Sequence, residues 1–245
     1  MDPKMDPAAS LGERIGVVRA RIAAAAARAG RAPDEVTLVA VTKLMPAERV
    51  REVYAAGLRI FGENRVQEAE EKIAALADLS GVRWELIGHL QTNKVATAVG
   101  LFARVQSVDS VRLAEKLEKK AAERGQALPV LLEVNVGGEA SKLGLAPAET
   151  LDAARAIVRL EHLRPEGLMT VAPISQSGDA EEVRPIFRQL RELRDLLRQG
   201  VPLAGEQGGW DTLSMGMTDD FEVAIEEGAT LVRVGRAIFG SRPGA

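Results

Sequence analysis

Between residues 36 and 234 eight short apolar runs alternate with seven longer amphipathic stretches, and no other feature constrains the fold as much. The apolar runs are 36–42, 58–61, 84–87, 102–108, 130–136, 167–171, 212–215 and 230–234. They are rich in Val, Leu and Ile without clean polar alternation, as strands buried on both faces of a parallel sheet must be. Helical patterns separate them at 46–57, 64–77, 92–99, 110–124, 147–160, 180–199 and 218–227. An open doubly wound sheet could use this pattern. Eight units within 245 residues fit one closed α/β barrel, the (β/α)8 or TIM arrangement, better.

Residues 1–9 are polar and Pro-containing and read as a flexible lead-in, leaving 10–245 as a single domain. Ser10 and Glu13 form an S-x-x-E capping box, and Leu11, Ile15, Val18 and Ile22 follow at helical spacing. Too few residues follow the last strand for a full eighth outer helix. The extra N-terminal helix is expected to cover that gap.

With 32 Lys and Arg against 35 Asp and Glu, the chain has no basic footprint for nucleic acid and no polybasic membrane anchor. The longest apolar stretches are Ala-rich and interrupted by Arg, so none spans a bilayer, and no signal-peptide pattern opens the chain. A cytoplasmic location is expected. Zero Cys and two His exclude disulfides, thiolate catalysis, iron–sulfur clusters and nearly every zinc site. Chemistry is left to Lys, Arg, Ser, Thr, Asn and carboxylates.

In such a barrel, function collects at the C-terminal strand ends. Those ends carry Thr42-Lys43, Gly62-Glu63-Asn64, Gly88-His89, Ser107-Val108-Asp109, Asn135, Met169-Thr170, Ser214-Met215-Gly216 and Gly235-Arg236. Each is small or polar after an apolar run. Lys43 is either a solvated rim lysine or a partly desolvated amine poised for a Schiff base. Arg233 lies inside the last strand, so its guanidinium needs either a core carboxylate or a ligand acceptor. Ser214-Met215-Gly216 and Gly235-Arg236 follow strands seven and eight, where barrels often hold phosphate on backbone N–H groups. His89 is either a supporting polar group or a structural histidine. His162 and Tyr54 read as outside the mouth, 137–144 as a mobile solvated loop, and 63–72 as mostly a solvated helix face.

Several segments together resemble the pyridoxal phosphate homeostasis proteins. They are Val39-Ala-Val-Thr-Lys43, Phe61-Gly-Glu-Asn64, Ile87-Gly-His-Leu-Gln-Thr-Asn-Lys94 and Glu133-Val-Asn135. Gly167-Leu-Met-Thr170, Leu213-Ser-Met-Gly-Met-Thr-Asp-Asp220 and Val232-Arg-Val-Gly-Arg-Ala-Ile-Phe-Gly240 complete the set. The resemblance implies a barrel like the N-terminal domain of alanine racemase, with pyridoxal 5′-phosphate (PLP) held as an internal aldimine on Lys43. It implies that Ser214, Gly216, Gly235 and Arg236 surround the phosphate, that Arg233 faces the pyridine nitrogen, and that Asn64 lies beside the ring. Val41, His89, Ser107 and Met169 complete the expected cofactor-binding set. Arg236 departs from the small Thr or Ser frequent in relatives, which removes a hydroxyl from the phosphate grip.

The resemblance further implies a monomer or weak dimer that takes part in intracellular vitamin B6 and amino-acid balance, with PLP-dependent apoenzymes as recipients. An always-charged Arg at the pyridine nitrogen weakens the ring as an electron sink, and no tyrosine is placed to serve as a second base. Binding without turnover is therefore expected. A low-activity PLP-dependent racemase is the alternative, and a cofactor-free Schiff-base aldolase a third class.

Overall fold

A computed structural model describes residues 9–139, 142–203 and 209–240; the expected lead-in at 1–8 lies outside them. Eight parallel strands close into a barrel in sequence order: β1 (Thr37–Val41), β2 (Ile60–Glu63), β3 (Arg83–Leu86), β4 (Arg104–Val108), β5 (Leu128–Glu133), β6 (Leu163–Met169), β7 (Thr212–Ser214) and β8 (Leu231–Val234). Pairing of Val39 with Arg233 and Ala40 with Val234 closes β1 onto β8. The seam therefore joins the strand leading to Lys43 to the strand leading to Gly235.

The outer layer comprises α1 (Leu11–Arg28), α2 (Ala47–Ala55), α3 (Val66–Ala75), α4 (Val95–Leu101), α5 (Val111–Arg124), α6 (Thr150–Ile157), α7 (Arg184–Gly200), α8 (Phe221–Glu226) and the single turn α9 (Arg236–Phe239). The capping box forms as the spacing predicts: Ser10 N–H donates to Glu13 Oε2 at 2.7 Å, and Glu13 N–H to Ser10 Oγ at 3.3 Å. Leu11, Ile15, Val18 and Ile22 are all buried on α1, which packs against α8 and α9. It covers the place a full eighth outer helix would fill.

Most elements fall within a few residues of the sequence reading. The clearest difference is β6, which begins at Leu163 rather than Gly167. Arg164, Pro165 and Glu166 hide its start. Pro165 has no N–H to give a ladder, and the register with β5 slips there, from Val130 opposite Pro165 to Leu131 opposite Gly167. Helices at 147–160 and 180–199 begin as 3-10 turns, Pro147–Glu149 and Ala180–Val183, and 218–227 contributes only α8.

Strand alternation sorts the core into two zones. Phe61 and Trp84 pack outward under the helices, with ring centroids 5.2 Å apart. Their neighbours Gly62 and Glu85 pair in register on the other face, toward the barrel axis. Among the described residues no helix is long and apolar enough to cross a membrane, and no group of three or more His, Asp or Glu side chains is placed to hold a metal.

Candidate functional site

The barrel interior is wired with polar groups rather than filled with aliphatic ones alone. Gln106 Nε2 donates to Glu85 Oε2 at 2.5 Å, and Ser214 Oγ donates to Gln106 Oε1 at 2.6 Å. Arg233 Nη1 donates to Ser214 Oγ at 2.6 Å and Nη2 to the Thr170 carbonyl at 2.8 Å. All four side chains of the chain from Glu85 to Arg233 are buried. The core carboxylate expected as one partner for Arg233 is therefore not its partner; a hydroxyl and a carbonyl are. Burial lowers the Arg233 guanidinium to about 10, with Asp220 and Glu133 opposing that from a distance, so it is still charged at neutral pH. Sequence reasoning missed Glu85 and Gln106. Their signal was a polar residue in mid-strand, Glu85 between Trp84 and Leu86 and Gln106 between Val105 and Ser107.

At the β7 and β8 ends, backbone geometry dominates. Gly216 has φ +93°, and a Cβ there would lie 2.6 Å from Ala224 Cβ and 2.8 Å from Phe221 Cα, so the chain itself requires glycine. Gly235 differs. Its φ is −117°, and an added Cβ would meet Val41 first, at an ordinary 3.4 Å. Neither its backbone nor the atoms nearest it demand glycine: a side-chain carbon there would rest against Val41. Ser214 Oγ is committed inside the barrel, as described. Arg236 turns its guanidinium to Asp219 in an exposed ion pair. Thr218 Oγ1 accepts from Ala237 N–H at 3.3 Å and ties the two loops together.

Lys43 follows β1 and is half-buried. Thr42 donates its hydroxyl to Glu63 Oε1, at 2.6 Å, and Lys43 follows it in the turn that leaves the strand end. The expectation that 63–72 is mostly a solvated face fails at both ends. Glu63 and Lys72 are buried and paired, with Nζ 2.5 Å from Oε1. Helix α3 turns Lys72 inward because its stem lies on the same face as Val66 and Ala69, which are also buried. Leu44, next after Lys43, has φ +62°, a conformation that costs a branched residue ~1–2 kcal/mol.

The β2–β6 side is more carboxylate-rich. Asn64 is half-buried at the end of β2, with its carbonyl against Gly88, where a Cβ would approach to 2.4 Å. Ser107 Oγ donates to the Gly88 carbonyl at 2.7 Å. His89 is half-exposed, its Nδ1 3.2 Å from Asp109 Oδ2. Met169 is fully buried between Glu133 and Ser214 in register. Burial pushes the Glu133 carboxyl up to about 7, with Asp109 adding to the shift and Arg233 opposing it.

The 137–144 loop is less free than expected. Asn135 Nδ2 donates to the carbonyls of Glu139 at 2.9 Å and Lys142 at 3.2 Å; Ala140 and Ser141 lie outside the described residues. Tyr54 lies outside the mouth, as read. Its hydroxyl donates to the Ser80 carbonyl at 3.1 Å and Arg59 stacks on its ring. His162 sits with Glu118, 2.9 Å away, on the outer surface.

Comparison with known proteins adds three findings. Residues 15–243 match the family described as alanine racemase, N-terminal domain. The pyridoxal phosphate homeostasis protein of Pseudomonas aeruginosa is 46% identical over 95% of this chain and 96% of its own length, and that of Aquifex aeolicus is 44% identical over 94% and 97%. The solved structure of PipY from Synechococcus elongatus with PLP bound superposes with TM-score 0.81 at 38% identity, covering 94% of this chain and all of that one.

Proposed function

The chain belongs to the pyridoxal phosphate homeostasis protein family, within the alanine racemase N-terminal domain group, and on that premise we propose that it carries PLP covalently on Lys43. In this reading it holds the cofactor reversibly for intracellular vitamin B6 and amino-acid balance, without catalytic turnover, and PLP-dependent apoenzymes are the recipients. PLP supplies, when bound, an electrophilic aldehyde and an electron-accepting ring.

One observation carries the reading. The half-buried lysine after β1 and Gly235 after β8 follow the two strands that pair at the barrel seam, and neither the backbone nor the packing around Gly235 requires a glycine there. The residues fit the group. Backbone N–H groups after β8 and the Gly216 turn suit a phosphate dianion, while the Ser214 hydroxyl is spent on Arg233 and Gln106 rather than on the phosphate. Arg233, charged and spending two hydrogen bonds on Ser214 and Thr170, has N–H groups left for the pyridine nitrogen. Val41, Asn64 and Met169 would line the ring side, with His89 and Ser107 as outer support.

The test is borohydride reduction of the PLP-loaded protein followed by peptide mass spectrometry. The reduced label is expected on Lys43 and lost in Lys43→Ala, with the melting temperature nearly unchanged. A label that persists in Lys43→Ala, at Lys142 or elsewhere, overturns the assignment.

A second reading, slow racemisation, is favoured by Glu133. A carboxyl pushed to about 7 at the mouth suits a proton acceptor at neutral pH. It predicts exchange of substrate α-hydrogens for solvent deuterium, lost in Glu133→Gln. Its absence leaves the carrier reading.

A further inference from the structure

We propose that Lys72 and Glu68, on α3, are positioning residues for Lys43: they grip the two peptide groups that flank it. The inference rests on the reading of Lys43 as the point of cofactor attachment. Lys72 Nζ donates to the Thr42 carbonyl at 2.8 Å, which fixes the peptide on the N-terminal side of Lys43. Leu44 N–H donates to Glu68 Oε1, which fixes the peptide on the C-terminal side. The turn closes on itself as Met45 N–H donates to the Thr42 carbonyl at 3.0 Å. Lys43 is thus suspended between two backbone anchors, and both anchors belong to one helix.

The two grips are coupled. An ammonium has three N–H donors. Those of Lys72 go to the Thr42 carbonyl, to Glu63 Oε1 at 2.5 Å and to Glu68 Oε1 at 3.0 Å. Glu68 Oε1 receives both Lys72 and Leu44 N–H, so one oxygen links the ammonium to the far side of Lys43. Thr42 Oγ1 donates to Glu63 Oε1 at 2.6 Å and completes the ring of contacts.

Stability alone does not account for this arrangement. Taking two charges out of water is expensive, and apolar residues of similar size often serve a core as well or better. Here the Lys72 side chain is 5% exposed and that of Glu63 is 0%, and Glu63 Oε2 has no hydrogen-bond partner among the described residues. What the charged cluster does, and an apolar one cannot, is bind main-chain groups on both sides of one residue. It also holds Leu44 at φ +62°, which a branched side chain disfavours and which sets the direction in which the chain leaves Lys43. Attachment of an aldehyde requires the lysine amine within a narrow approach, and about 1 Å of misplacement costs on the order of 100-fold in such steps.

The experiment measures three quantities on the full chain: the rate at which PLP becomes reducibly linked to Lys43, the affinity for pyridoxine 5′-phosphate, and hydrogen exchange at the Leu44 amide. Pyridoxine 5′-phosphate has an alcohol in place of the aldehyde and cannot link. Glu68→Ala is expected to slow linkage at least tenfold, to speed Leu44 exchange, and to leave pyridoxine 5′-phosphate affinity within twofold. Glu68→Gln retains an acceptor oxygen and should recover most of the rate. Lys72→Met should slow linkage further where it folds; Glu68 is partly exposed, so its variants test the proposal even where Lys72→Met does not.

Faster Leu44 exchange with an unchanged linkage rate overturns the positioning role. An equal loss of pyridoxine 5′-phosphate affinity also overturns it, because the whole site has then been damaged. A wild-type protein that binds pyridoxine 5′-phosphate yet never links PLP to Lys43 refutes the attachment reading itself, and this inference with it.

Discussion

The two sides of the barrel seam hold the mouth by different means. Beside β1 and β2, a buried set of charges on α3 ties down the strand end through Thr42, Glu63 and Leu44. Beside β7 and β8, glycine conformations and backbone groups shape the loops, and the Arg236–Asp219 charges there are exposed. A buried charge fails badly when its partner is removed. A backbone-built loop fails only where a side chain fills needed space. The first side should therefore answer to mutation in stability and geometry, the second in ligand affinity.

Lys72→Met should be the most damaging change to folding. It leaves the Glu63 carboxylate buried and unpaired, which typically costs about 3–5 kcal/mol. Chemical denaturation at pH 7 measures it. Burial already raises the Glu63 carboxyl, so the loss should shrink as pH falls and that group protonates. Adding Glu63→Gln should recover much of the stability. A cost under ~1 kcal/mol in the single variant would place this pair with ordinary surface salt bridges and dissolve the contrast between the two sides.

Glu133 lies between the two regimes and supplies a pH test. Its carboxyl is pushed from 4.5 to about 7 in the folded chain, so between those values the folded state binds more protons than the unfolded one. Stability must then fall as pH rises through that window and level off above it. The whole shift corresponds to ~3 kcal/mol at most. Glu133→Gln should remove that slope, and the difference between variant and wild type should be small at pH 4.5 and largest near pH 8. Urea melts of the ligand-free protein at several pH values measure it. A pH-independent difference would mean that Glu133 titrates normally.

Much of this architecture is legible in the sequence because alternation and capping are local. The eight apolar runs, the Ser10 capping box and the polar strand ends all read directly. Other features are not local. Glu63 and Lys72 look like a solvated face because nothing nearby in sequence reveals that α3 turns Lys72 onto the sheet. The interior chain through Glu85, Gln106 and Ser214 joins β3, β4 and β7, so its register depends on barrel closure. Pro165 hides the start of β6 by breaking the strand pattern at a bulge. Lys43, Gly235 and Arg233 stand out in the sequence because each departs from the apolar run that carries it.

On the β8 side, Gly235→Val should change ligand affinity far more than folding. Its φ of −117° suits any residue, and the new Cβ would touch Val41 at 3.4 Å, so the melting temperature should move little. The branched side chain would occupy the approach to the backbone N–H groups, each worth roughly 1.5–3 kcal/mol to a charged acceptor. PLP affinity should drop more than tenfold and that of pyridoxal, which has no phosphate, much less. Equal losses for both ligands would move the phosphate elsewhere.

Arg236→Ala should have the smallest effect, and it decides whether that side works through backbone alone. The guanidinium is paired with Asp219 at the exposed rim, 60% and 69% of the two side chains being solvent-accessible. Such a pair contributes little to stability, typically under 1 kcal/mol, so the fold should not register its loss. The backbone N–H of residue 236 survives the substitution, and so does the Thr218 contact to Ala237. If the guanidinium stays on Asp219 when ligand binds, PLP affinity should fall less than tenfold and the PLP-to-pyridoxal ratio should hold. If it leaves Asp219 for the phosphate, Asp219→Asn should tighten PLP binding while Arg236→Ala weakens it by more than tenfold. Titrating both ligands against the two variants at low and high salt separates these outcomes, because a screened rim charge fades with salt and a direct contact fades less.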